Sequence, residues 1–177
     1  MRTIIFISTF LVAINTSFGQ LPEKIKSIQK LVEIINNDTG YTIKALSNDY
    51  FIDKKNESTD GGQELKGYYK GKKLKKIIYS VGISVCMRTY EYYLSDSNLI
   101  FVFEKEFDYP EIKDSSGEYV LDYSKTVPAF EGRYYFNNGK IIQFKNKGHE
   151  RLSDDRKTKE NMFLGDVKNF LEDLKNN

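Results

Sequence analysis

Phe130-Glu131-Gly132-Arg133-Tyr134-Tyr135-Phe136-Asn137-Asn138-Gly139-Lys140-Ile141-Ile142 decides the fold. An aromatic run ends in Asn-Asn-Gly, whose residues tolerate the positive φ of a tight hairpin turn, and an aliphatic run follows. The segment therefore predicts two antiparallel strands, over 130–136 and 140–144. The same succession of Tyr-Tyr strand, polar turn and aliphatic return occurs twice upstream. Leu65-Lys66-Gly67-Tyr68-Tyr69 precedes the aliphatic run 74–77, and Tyr90-Glu91-Tyr92-Tyr93 precedes Leu99-Ile100. The tyrosine pairs begin at 68, 92 and 134, so the second gap holds an extra segment. Hairpins laid side by side in this way build one continuous sheet.

Further β-branched and aromatic runs predict strands over 41–46, 49–52, 64–69, 74–79, 85–94 and 99–108. Leu99-Ile100-Phe101-Val102-Phe103 is apolar on both parities, which predicts a central strand covered on both faces. The run 81–87 reads as a half-buried strand, with Cys86 as a packed thiol. The segment 109–127 is long for a connection. It reads either as a functional excursion or as a short strand over 118–123 that extends the sheet.

Two amphipathic helices bracket these strands. Leu21, Ile25, Ile28, Leu31, Val32 and Ile35 fall on one helical face, with Pro22 in the first turn and Asn36-Asn37-Asp38-Thr39-Gly40 as the stop. Phe163, Leu164, Val167, Phe170, Leu171 and Leu174 repeat the pattern, with Thr158 as the expected N-cap. The fold class is therefore α+β: a curved antiparallel sheet of about seven strands built from repeated hairpins, with the N- and C-terminal helices packed on one face.

Met1-Arg2, the apolar run 4–14 and Ser17-Phe18-Gly19 ahead of Gln20 read as a secretory signal peptide, residues 1–19. The apolar run is too short to span roughly 30 Å of hydrocarbon. The expected mature product is one α+β domain, 20–177, exported to the periplasm or the extracellular space and without a transmembrane segment. Its 158 residues can build a single core. Cys86 is the only cysteine and lies far from the cleavage site, which excludes an internal disulfide and a lipid-modified first residue. Twenty-seven basic residues against 25 acidic ones leave no stripe for nucleic acid. The densest basic cluster, Lys70, Lys72, Lys73, Lys75 and Lys76, reads as the solvated face of a turn.

The stretch from Phe130 to Lys140, aromatic-Glu-Gly-x-aromatic followed by Asn-Gly-Lys, resembles the first half of a MORN-type repeat, and Lys66-Gly67-Tyr68-Tyr69-Lys70-Gly71-Lys72 is a thinner echo. The second half lacks the Gly-x-Gly of that family. The resemblance implies a lipid-, protein- or dimer-contacting surface, and it carries no residue roles over. The helix, hairpin-sheet, helix layout behind a signal ending in Gly-Gln also resembles small exported proteins of unassigned function from Bacteroidetes-type bacteria, which implies an address and no activity.

Few residues of the chain offer catalytic or metal-binding chemistry. His149, in a polar stretch after the last strand, is the only histidine, so Ser-His-Asp, Cys-His and zinc arrangements lack members. The loop 53–62 fails the spacing of a calcium site, and Gly61-Gly62 precedes a strand where a phosphate cradle needs a helix. No cofactor and no metal are expected. Glu91, Glu104, Glu106, Glu118 and Glu131 lie on or near strands, which keeps open a glycan-acting envelope hydrolase with paired carboxylates. The favoured reading is a non-enzymatic exported binding module. Strand alternation puts Tyr93, Tyr135, Arg133, Glu91 and Glu131 on one face, as a flat patch of rings with flanking charges. That patch, with the 109–127 loop, suits an envelope protein or a glycan as partner.

Overall fold

The computed structural model describes residues 17–151 and 154–176; the expected signal segment thus lies outside the described residues over positions 1–16. The chain opens with α1 (Ser17–Asn37), then β1 (Thr42–Leu46), α2 (Asn48–Tyr50) and a π-helical turn Phe51–Lys55. There follow β2 (Gln63–Lys70), β3 (Lys73–Ile83), β4 (Cys86–Ser95), β5 (Asn98–Asp108), β6 (Glu111–Lys113) and β7 (Tyr119–Leu121). The chain continues through β8 (Val127–Asn137), β9 (Lys140–Gly148) and α3 (Arg156–Asn176). Seven strands form one antiparallel sheet in the order β1-β2-β3-β4-β5-β8-β9, and β6 pairs only with β7. No helix among the described residues is long and apolar enough to cross a membrane.

Two-residue turns close the hairpins β2–β3, β4–β5 and β8–β9. Asp96-Ser97 and Asn138-Gly139 hold positive φ at both central positions (47° and 66°; 49° and 71°), the geometry whose twist matches the flanking strands. Each hairpin carries a register shift beside its tyrosine pair, at Tyr68/Tyr69, Tyr93/Leu94 and Tyr135/Phe136.

The helices do not share a face. Tyr92, Val102 and Tyr134 stand in register across β4, β5 and β8 and pack with Phe163, Val167, Phe170 and Leu174 of α3. Their neighbours Tyr93, Phe101 and Tyr135 form the next row, point the opposite way and pack with Ile25, Ile28 and Ile35 of α1. Helical periodicity shows that each helix has a stripe to bury and is silent on which side of the sheet receives it. The double-sided burial expected of β5 holds, since Val102 and Phe101 are both buried. Gly67 lets α3 lie close: a Cβ there meets Leu174 Cδ1 at 2.7 Å.

Four local expectations change. Residues 49–52 are helical, because Asn48 Oδ1 accepts the Gln63 N–H (3.0 Å), Phe51 is buried and Asn56 ends the turn in the left-handed region (φ 55°). The run 81–87 is broken by a turn at Ser84-Val85, although Cys86 is fully buried as expected. The 109–127 segment folds as its own two-stranded arm instead of extending the sheet. Asp155 caps α3, accepting the N–H groups of Lys157 (2.7 Å) and Thr158 (3.1 Å) and the Thr158 hydroxyl (2.7 Å).

Candidate binding cleft beside the N-terminal helix

All five residues expected to share a face do so. Tyr93, Phe101 and Tyr135 form one cross-strand row, Glu91, Phe103 and Arg133 the next, and Lys105 with Glu131 the third. They do not form an open patch. Helix α1 lies across the first row, leaving Tyr93 1% and Tyr135 3% exposed. Phe101 sits between their rings, with centroids 5.5 Å from Tyr93 and 5.0 Å from Tyr135. A hydroxyl makes a strand parity look polar; here each hydroxyl reaches a partner and the ring belongs to the core.

Where α1 ends its cover, a cleft of about 410 Å³ opens between the helix and the sheet. Its floor is aromatic: Tyr93, Phe101, Phe103 and Tyr135. Its rim is polar, with Gln29, Glu33, Asn36 and Asn37 from α1 and Arg133 from β8. Gln29 donates to the Tyr135 hydroxyl (3.1 Å). The Tyr93 hydroxyl donates to Glu91 Oε2 (2.7 Å) and lies 2.9 Å from Asn36 Oδ1, tying helix to sheet. Phe103 is sandwiched in charge, with the Lys105 amine 4.8 Å and the Arg133 guanidinium 4.5 Å from its ring centre.

Glu91 organises the charges on this face. It accepts from Lys76 (2.7 Å) and Lys105 (2.8 Å) as well as from Tyr93. Burial works against its charge, and these three donors outweigh burial and hold its pKa at about 2. Burial, then the adjacent Glu91 carboxylate, push the Tyr93 phenol far above its ordinary value. Arg133 pairs with Glu131 (2.9 Å), and both side chains stay partly open to solvent. The result is a fixed arrangement of rings with convergent polar groups at its edge, the usual make-up of a small-ligand site.

The 109–127 segment does not join this cleft. Tyr109 and Tyr123 pack at a tilt (ring centroids 5.0 Å, 59° between planes) beyond the far end of β5, and Asp108 follows Phe103 by five strand positions, about 17 Å. The His149 backbone N–H donates to Ala129 O (3.0 Å). Phe101, Phe103, Gln29 and Asn36 are cleft residues that the sequence did not single out. Apolarity on both parities of β5 was the available signal for the two phenylalanines, whereas the α1 side chains required knowing which face the helix covers.

On the opposite face, Glu104 and Glu150 both contact Lys159, whose amine lies 2.8 Å from Glu104 Oε2, and Tyr134 donates to the same oxygen (3.0 Å). Burial raises the Glu150 pKa, with Lys159 opposing it. A cavity of about 130 Å³ touches this group. A glycosidase needs its two carboxyl groups to flank the scissile bond; here a lysine ammonium occupies the space between them. No family model, no curated protein and no solved structure matches the chain.

Proposed function

We propose that this protein is an exported, non-enzymatic binding module that holds a short glycan segment in the cleft between α1 and the sheet. One observation carries the reading: a cleft of about 410 Å³ that combines an aromatic floor with a rim of Gln, Asn, Glu and Arg side chains. Sugar rings present C–H faces that pack against Phe103, the one partly exposed ring of the floor, and hydroxyl groups that satisfy amide and guanidinium edges. The pre-formed hydrogen bonds of Tyr93, Gln29 and Glu91 supply rigidity, which lowers the ordering cost of binding. The Tyr-Tyr hairpins read as copies of one unit, of which the second and third supply the floor.

The test is retention of soluble cell-envelope polysaccharide fragments on the immobilised protein, compared with Phe103→Ala and Arg133→Ala. Both residues are only partly buried, so the variants keep the fold. Loss of retention in both, with ligand-induced NMR shifts at Gln29, Asn36 and Phe103, supports the reading; unchanged retention refutes it.

A further inference from the structure

A second cavity, of about 950 Å³, lies between the last turn of α3, edge strand β1 and the β2–β3 and β4–β5 turns. It gathers part of the basic cluster that reads in sequence as a solvated turn. Lys44, Lys72, Lys73, Lys75 and Lys175 line it, and Asp96, 3.5 Å from Lys73, is the one acid among its described lining residues. The wall therefore carries a net charge of +4 in a protein whose overall charge is nearly balanced. The floor is of opposite character: Tyr69, Leu74 and Leu171 meet there over the buried Leu174, with Ile43 of the edge strand 54% exposed at its margin. The C-terminus of a helix ordinarily repels anions. Here Lys44 donates to Leu174 O (2.5 Å) and Lys175 sits in the last turn, so both cations offset that end of α3.

We propose that this groove binds a single-chain amphiphile with an anionic head, a long-chain carboxylate, its alkyl chain on the leucine floor and its head among the turn lysines. The charge complementarity selects the sign of the head, and the apolar floor selects a chain over a bare anion. A single aromatic ring offers no platform for successive nucleobases, which sets nucleic acid aside. The groove shares no lining residue with the α1 cleft, so the two sites are tested independently.

Calorimetric titration of the full chain with decanoate, dodecanoate and tetradecanoate, each below its micellar range, is the deciding experiment. Affinity is expected to rise about fourfold for each CH₂ added. Dodecyltrimethylammonium is expected to bind at least tenfold more weakly than dodecanoate, and inorganic phosphate not to displace it. The K72Q/K73Q/K175Q variant changes three exposed side chains and is expected to weaken dodecanoate about tenfold without changing Tm. Leu171→Gln, on the half-buried floor, is the complementary variant and is expected to flatten the chain-length dependence. Affinity independent of chain length overturns the proposal, and so does equal binding of the cationic amphiphile. Displacement by phosphate reassigns the groove as a simple anion site, and wild-type affinity in the triple-lysine variant places the ligand elsewhere.

Discussion

Replacing Tyr135 by alanine decides whether its ring is a binding surface or part of the core. The ring is 3% exposed, packs against Phe101 and shares a cluster with Ile25, Ile28 and Ile35 of α1. Truncating a buried aromatic side chain costs about 3 kcal/mol or more. For a chain of this length that lowers Tm by roughly 6–12 °C. Tyr135→Phe keeps the ring and removes only the hydrogen bond from Gln29, a loss of about 1 kcal/mol. Thermal and urea unfolding followed by far-ultraviolet circular dichroism separates the two. Ile28, 1% exposed, supplies the control from the helix side. Because Ile28→Ala and Tyr135→Ala undo the same interface, the double variant is expected to lose less than the sum of the single losses, by at least about 0.5 kcal/mol. A Tyr135→Ala protein that melts within 2 °C of the parent (roughly the 0.5 kcal/mol typical of surface changes) would falsify the seating of α1 on this row.

Glu91 makes stability depend on pH in a defined direction. Its folded pKa of about 2 lies below the ordinary 4.5, so its contribution is present above pH 4.5 and disappears as pH falls toward 2. The full contribution is on the order of 3 kcal/mol, and Glu91→Gln should remove this part of the acid dependence in urea titrations at pH 7, 4 and 3. Lys159→Met leaves Glu104 buried without its cation and is expected to cost about 3–5 kcal/mol. Adding Glu104→Gln should restore part of that loss, and equal stability of single and double variants argues against a charge penalty.

Much of the architecture is legible along the chain. Asn138-Gly139 announces its turn because few residues accept two successive left-handed conformations, and the aliphatic returns at Leu74, Leu99 and Ile141 follow from it. The helical 49–52 segment was hidden because Tyr50-Phe51-Ile52 is too short to show a period, and its conformation is set by the distant contact of Asn48 with Gln63. Alternation correctly groups the five candidate residues on one face. The burial of Tyr93 and Tyr135 depends on α1, which is more than fifty residues upstream of Tyr93 and whose choice of face no local pattern encodes. The double-sided apolarity of β5 carried that information in outline, since two covered faces require two covers.

The strand order follows the chain, and each neighbouring pair except β1–β2 and β5–β8 is joined by a two-residue turn. Such a meander has a kinetic meaning. Most sheet contacts close short loops, so ordering can spread strand by strand at little entropic cost, whereas β5–β8 must first close over the intervening arm. The two helices, at opposite ends of the chain, seal opposite faces only once their strands exist. The slow step is thus expected to lie in closing β5 on β8 and docking the helices, and a nascent chain leaves the row of Tyr92, Val102 and Tyr134 open until α3 has arrived.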